Sequence, residues 1–459
     1  MERKPPEATG HPAGGGRTRS GCGRCRVVGM DPLVVVCPRR NDLWRHKRDP
    51  AQPDREGARP AERPPVKEGG MDYRIDDELA MLRAALREFL EARMPDLIRE
   101  PARDNRATAW RELVSAGWLE HFGAATGETG APADWVGGVH VAEAFGAVPV
   151  PGPVDVVAGY LMPLAKAAGM SGLLERLHTG SVITAAPPVP DISGRDGVPQ
   201  WRHRRLCAVR EANRIRVSGV LARVPAAGDA QAVVVPVDLD GVPGLALVGC
   251  DQAGVEVGVS AGVDLRRPVA DVRLRRTRLE AEALYTDPGL SALEERCATL
   301  YSLFLDAEAV GGGAEVIARS VDYCTTRTQF GRPIGAFQAI RHRLADAASG
   351  VEGARSLVYQ AAWNVAAGAP GAMCDVRASR LWASAAYLAA AEAAIQCHGG
   401  MGFTWDQRLH LWYRAAVAGR GADTVVGARS ALAALLRGDE RLVPSAPHGR
   451  LAAAGRTSK

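Results

Sequence analysis

Two stretches toward the C-terminus hold residues whose types and spacing suit ligand chemistry. The first is YCTTRTQFGRPIGAFQAIRHRLAD, Tyr323 to Asp346. Its pattern predicts a helix ending at Phe330-Gly331, a Pro-Gly turn, and a second helix opened by Gln338. Arg327 and Gln329 then sit at one helix end and Gln338 at the next helix start. A fixed guanidinium and amides flanking a turn can clamp a phosphate and hydrogen-bond a planar ring. The same residues can equally be a solvated arginine and two surface amides. The second stretch is IQCHGGMGFTW, Ile395 to Trp405, where an Ala-rich helical run stops at His398, Gly399 and Gly400. Paired glycines fit a plain helix stop, and they also fit close approach of a large ligand to bare backbone.

The elements that must position these residues are legible in the texture of the chain. At 459 residues it exceeds one ordinary domain, and 46% apolar residues supply a core. The net charge of +5 is unevenly placed. Residues 1–70 hold 15 Lys/Arg and 9 Asp/Glu, net +6, which leaves the remainder at −1. That near-neutral body gives no electrostatic case for nucleic acid. No apolar run approaches the length of about 18 residues that a membrane span requires. No signal-peptide pattern is visible. The nine cysteines, irregularly spaced, point to reduced thiols and a cytoplasmic location. Cys22 and Cys25 form a CxxC without a second pair, so no metal site is expected.

Residues 1–70 are poor in helical or strand periodicity and are expected to be a disordered extension. Met71 opens MDYRIDDELAMLRAALREFLEARMP, which reads as a domain start, with Leu79, Leu82, Leu86, Phe89 and Leu90 at helical spacing. A helical domain is expected over 71–178. From 179 to 287 the chain turns Val-, Gly- and Pro-rich, with VVVPVD and the alternating VEVGVS, which predicts a β-domain. Helices return over 288–440, where Leu344, Ala348, Val351, Arg355 and Val358 track one side, widened by Leu357, Ala361 and Val365. Residues 441–459 are expected to be a disordered tail. The fold class is α+β: an N-terminal helical domain, a middle β-barrel-like domain and a C-terminal four-helix bundle.

RTQFGRPIGAFQAIRHRLAD and IQCHGGMGFTW resemble the two C-terminal signatures of the acyl-CoA dehydrogenase family. WRELVSAGWLE and Glu143 to Gly146 resemble its N-terminal helices, and VSGVLARVP and VADVRL resemble strands of its middle domain. The likeness covers about Met71 to Leu436. It implies FAD as cofactor and α,β-desaturation of an acyl-CoA thioester, with an electron-transfer acceptor. An acyl-CoA oxidase would carry the same motifs. It further implies that Arg327 contacts the flavin pyrophosphate across a subunit interface, and that Gln329 and Phe330 of the same motif are cofactor-binding. Gln338 also meets the cofactor, and Gln396, His398, Gly399 and Gly400 lie against its adenine half.

The sequence departs from the family where the chemistry is done. Most members take the α-proton with the Glu of a YEGT run. Here LWYRAAVAGRGADTVVGARS places Asp423 there, one methylene shorter, and a misplacement of about 1 Å costs roughly a hundredfold in rate. Asp423 can equally cap a last helix. Val425 and Val426 stand where further flavin contacts are expected. In a few members the base lies on the first helix of the C-terminal domain. The equivalent position is Tyr301, which cannot serve, and Glu308 on the same face is the alternative carboxylate. The T-E-P-x-x-G-S-D loop expected near Thr184 is replaced by TAAPPVPDISGRDG. GFTWDQRLHLWYR resembles degenerate, small-subunit-type members, which pair with a fuller second subunit and form composite sites. Two expectations follow: a homo- or hetero-oligomeric flavoenzyme subunit, or a non-catalytic subunit that supports a catalytic partner.

Overall fold

The computed structural model describes residues 77–93, 103–123, 132–191, 200–211, 214–260 and 262–420, with positions 425, 428 and 429. The segments expected to be disordered, residues 1–70 and 441–459, lie outside the described residues, and so does Asp423.

The first part is helical. It comprises α1 (Asp77–Arg93), α2 (Arg103–Ser115), α3 (Glu120–Gly123), α4 (Pro132–Ala147), α5 (Val154–Val156), a π-helical turn (Val157–Leu161), α6 (Met162–Ala167) and α7 (Ser171–His178). The apolar stripe of α1 places Leu86 and Leu90 fully inside, with Leu79, Leu82 and Phe89 packed at the edge. Helix α4 begins on proline, whose missing N–H and fixed φ suit a first turn. From Val139 to Ala147 every residue of α4 is buried.

The middle part is a mixed eight-stranded sheet. Its strands are β1 (Ile183–Ala185), β4 (Leu206–Glu211), β5 (Arg214–Val224), β6 (Ala232–Leu239), β7 (Val242–Gly249), β8 (Val255–Val259), β9 (Ala270–Glu280) and β10 (Leu284–Thr286), while β2 (Val189–Asp191) and β3 (Gln200–Arg202) form a separate ribbon. The order is β10-β7-β6-β4-β5-β9-β8. Strand β6 is the pivot: it pairs antiparallel with β7 along one edge and parallel with both β1 and β4 along the other. Its alternate side chains serve two cores. Ala232 and Val234 join the helical core, whereas Val233, Val235 and Val237 join the core of the sheet.

The last part is built on α8 (Leu290–Thr326), followed by a two-stranded hairpin of β11 (Thr328–Gln329) and β12 (Arg332–Pro333), then α9 (Gln338–Ala366), α10 (Ala372–His398) and α11 (Leu409–Arg420). In α9, Leu344, Val351, Val358 and Ala361 are buried, as the stripe predicts. Arg355 on that stripe instead reaches across to Glu143 of α4 at 2.9 Å, and Arg83 of α1 meets the same oxygen at 3.0 Å. One buried carboxylate thus ties three helices. Helices α4 and α8 touch backbone to backbone. A Cβ on Gly146 would lie 2.0 Å from the carbonyl oxygen of Glu308, and one on Gly311 would lie 1.9 Å from that of Glu143. The glycine run 311–313 therefore permits the crossing and leaves Tyr387 of α10 lying on Gly312.

The helix preceding the first motif ends earlier than its pattern predicts. Helix α8 stops at Thr326, and 328–333 fold as the hairpin, with Phe330 (φ +52°) and Gly331 (φ +75°) as its two turn residues. Two consecutive positive φ values give a turn whose twist matches that of its strands.

Candidate functional site

The residues singled out from the two motifs converge on one end of the helical bundle. The rings of Tyr323 on α8 and His398 on α10 stack with centroids 4.1 Å apart and planes 22° apart. Beside them Cys324, Leu344 and Cys397 form a small buried cluster. These contacts bring the hairpin after α8, the first turn of α9 and the last turn of α10 together. Arg327 follows α8 directly, and its carbonyl accepts the Ile334 N–H at 2.8 Å, which closes the hairpin. Arg327, Gln329, Phe330, Gln338, Gln396, Gly399 and Gly400 are all exposed. Phe330 at the hairpin tip is 92% exposed. Gly399 takes φ +59°, and an added Cβ at Gly399 or Gly400 would meet nothing within 4 Å. The paired glycines thus end the helix and leave bare backbone open to contact.

Unlike the other singled-out motif residues, His398 is buried. Burial keeps its pKa below the ordinary histidine value. Its Nδ1 lies 2.9 Å from the Ala394 carbonyl, so in the neutral ring Nδ1 donates and Nε2 is left as an acceptor. Among the described residues, no hydrogen-bond partner meets Nε2.

A second feature is a cleft of about 610 Å³ between the sheet and the bundle. Its walls come from Ala186 and Pro187 after β1, the loop between β8 and β9, and α8, α10 and α11. The replaced segment after Thr184 therefore borders the cleft, although Thr184 itself is buried and donates to the Pro225 carbonyl at 2.6 Å. Glu308 of α8 lines the cleft, and the far end of α11, from Ala415 to Gly419, forms its rim.

The interior of this cleft is ionic. Arg266 Nη1 donates to Glu308 Oε1 at 2.9 Å, and Arg267 donates to both Glu308 oxygens at 2.7 and 2.8 Å. Arg266 also grips Asp264 at 2.8 Å. Burial opposes ionisation of Glu308, but the two guanidiniums outweigh it and hold its pKa below the usual range. Deeper along α8, Arg380 pairs with Asp306 at 2.8 Å. Burial dominates there and pushes Asp306 up to about 6.

The two features are not one pocket within a single chain. Along α8, at about 1.5 Å per residue, Arg327 lies about 28 Å beyond Glu308.

The Acyl-CoA dehydrogenase, C-terminal domain family model matches residues 303–423. Acyl-CoA dehydrogenase IpdE2 of Mycobacterium tuberculosis is 35% identical over 181 residues, 37% of this chain and 53% of that protein. Acyl-CoA dehydrogenase FadE27 of the same organism is 31% identical over 208 residues, 44% of this chain and 55% of that one. The matches thus span about half the length of these curated relatives. The fold is shared over more of the chain. The crystal structure of the ChsE4-ChsE5 complex from Mycobacterium tuberculosis superposes with TM-score 0.63 and 25% identity, over 80% of this chain and 98% of that chain. Residues 303–423 thus belong to the acyl-CoA dehydrogenase C-terminal domain family, and the rest of the described chain has the fold of its members. Butyryl-CoA dehydrogenase from Megasphaera elsdenii has the same fold, with TM-score 0.63 and 19% identity over 80% of this chain and all of that one.

The charged lining of the cleft is what sequence reading passed over. Arg266 and Arg267 were visible as a pair of consecutive arginines in an apolar, strand-rich region. Asp155 was visible as a lone carboxylate in PGPVDVVAGY. Charge in an apolar run signals a buried partner, but it does not say which one.

Proposed function

We propose that this chain is one subunit of a heteromeric, FAD-dependent acyl-CoA dehydrogenase that desaturates the α,β bond of an acyl-CoA thioester at a composite site. The observation that carries the composite site is the separation of about 28 Å along α8 between the exposed motif end and the cleft. Residues that far apart on one rigid helix serve a single extended cofactor only when two subunits each contribute one of them. The ChsE4-ChsE5 structure, a complex of two named proteins, is consistent with that arrangement.

The motif end suits the adenosine-diphosphate half of the cofactor. Arg327 would pair with the pyrophosphate, with Gln329, Phe330, Gln338 and Gln396 around it. Gly399 and Gly400 would offer open backbone, and His398, buried behind them and stacked on Tyr323, would hold that backbone in place. FAD, when bound, supplies the hydride acceptor. The chain's own residues bind and orient: the cleft shields the thioester from water between apolar backbone and fixed charges. Glu308, gripped by two guanidiniums, acts as an electrostatic anchor, and Asp423 remains a candidate proton acceptor.

A second reading, a non-catalytic subunit that supports a catalytic partner, is favoured by that same pairing of Glu308. Co-purification with a second family member carrying YEGT, followed by flavin content and subunit stoichiometry, separates the two readings. One FAD per subunit, with flavin bleached by acyl-CoA at both sites, supports the first. One FAD per pair, with activity abolished only by substituting the partner's glutamate, supports the second. A complex without FAD overturns both.

A further inference from the structure

One hydroxyl in the cleft is left without a partner. Tyr387 of α10 lines the cleft and lies on Gly312 of α8, where an added Cβ would fall 2.7 Å from the phenol oxygen. Only 6% of the residue is exposed. The polar groups near it are engaged with one another. Arg266 and Arg267 are held by Asp264 and Glu308, and the Tyr301 hydroxyl donates to Asp155 at 3.2 Å. Ser384, one turn before Tyr387, donates to the Leu381 carbonyl at 3.1 Å. Asp155 Oδ1 and Arg267 Nε are shut off from solvent and face each other at 3.2 Å as an ion pair. The Tyr387 oxygen is not shut off, and among the described residues it makes no hydrogen bond, so the surface it keeps opens onto the cleft. Much of the remaining lining is apolar, with Pro225, Val263, Leu305 and Ala309. An apolar cleft of about 610 Å³ with one open polar group has the character of a small-ligand site.

We infer that the cleft takes an acyl group bearing a keto or hydroxyl oxygen, and that the Tyr387 hydroxyl is the donor that recognises it. The inference rests on the acyl-CoA reading above and deepens it by naming the substrate class. A plain alkyl chain filling the cleft would strip water from this hydroxyl and leave it unpaired, which costs about tenfold in affinity. An oxygen at the matching depth removes that cost and adds a hydrogen bond. Burial pushes the Tyr387 pKa up, so the phenol keeps its proton and donates. The charges around it, Arg266 and Arg267 against Asp155, Asp264 and Glu308, leave no net positive charge to receive a carboxylate. A neutral oxygen therefore suits the site better than a second acid group on the ligand.

The test is a ratio of affinities. The full chain, with any co-purifying partner, is titrated calorimetrically with octanoyl-CoA and with analogues of the same length that carry one keto or hydroxyl group at successive carbons beyond the β position. The expected result is that at least one analogue binds the wild type about tenfold tighter than octanoyl-CoA, and that Tyr387→Phe brings this ratio close to one. The hydroxyl removed has no partner in the free chain, so Tyr387→Phe folds and its melting temperature does not fall. A wild-type ratio near one for every analogue overturns the inference, as does a ratio that survives in Tyr387→Phe. An equal loss for octanoyl-CoA and all analogues in the variant gives the hydroxyl to the thioester, and weakened FAD binding with an unchanged ratio gives it to the cofactor. A melting temperature lowered by several degrees shows that the hydroxyl is held within the fold. Each of these three also overturns the inference, and all five leave the acyl-CoA reading intact. Absence of binding by every acyl-CoA probe overturns that reading and the inference with it.

Discussion

Tyr323 and His398 lie ring on ring at 4.1 Å, and this contact joins the last turn of α8 to the last turn of α10. Arg327 is one turn beyond the first ring, and Gly399 immediately follows the second. Arg327→Ala is expected to weaken FAD binding by the assembled complex ten- to a hundredfold, because a charge-assisted contact contributes about 1.5–3 kcal/mol. Tyr323→Ala should weaken it less, by loosening the platform. Equilibrium flavin titration of the apo-complex checks both, and unchanged affinity in Arg327→Ala refutes the assignment.

The crossing of α4 and α8 tolerates no side chain at Gly311, since the new Cβ would fall 1.9 Å from a backbone oxygen. Gly311→Ala should therefore destabilise the protein by about 3 kcal/mol, at the upper end of ordinary overpacking. Gly137→Ala, in α4 but with nothing within 4 Å of the added methyl, should be neutral or stabilising. Chemical denaturation of the two variants makes the comparison.

His203 stands between two carboxylates, with Nδ1 3.1 Å from Glu294 and Nε2 3.3 Å from Glu295. Burial disfavours its charge, but the hydrogen bonds to Glu294 and Glu295 prevail and raise its pKa to about 9. The pKa is higher in the folded state, so the stabilisation is complete below the unfolded value of about 6.5. It is lost as pH rises toward 9. Thermal melts across that interval should show a decline that His203→Asn flattens.

Arg377 on α10 is buried, its Nη1 has no hydrogen-bond partner among the described residues, and burial lowers its pKa. A buried cation without a counter-ion is costly. Arg377→Met keeps the length of the side chain and removes the charge, and should raise stability by about 1 kcal/mol. A loss of stability in urea would show that the guanidinium is compensated.

The helical and strand textures were legible because burial imposes a period: Leu86 and Leu90 in α1, and Leu344, Val351 and Val358 in α9, are inside where the pattern puts them. The family was legible because two motifs with specific spacing lie in one continuous stretch. The hairpin at Thr328–Pro333 was missed because a short turn with Phe330 at positive φ is fixed by its closing hydrogen bonds, not by side-chain period. The sequence by itself determined which motif residues are present and which of the usual family residues are missing. Only the tertiary structure decided their company. It joined the end of α8, which leads to Arg327, to the end of α10, which leads to Gly399, through a stack of two rings. It also placed Asp155, Tyr301, Arg267 and Glu308, from three separated segments, around one cleft. Charges buried together choose partners by distance in a low dielectric, and that distance is created by packing helices against a sheet.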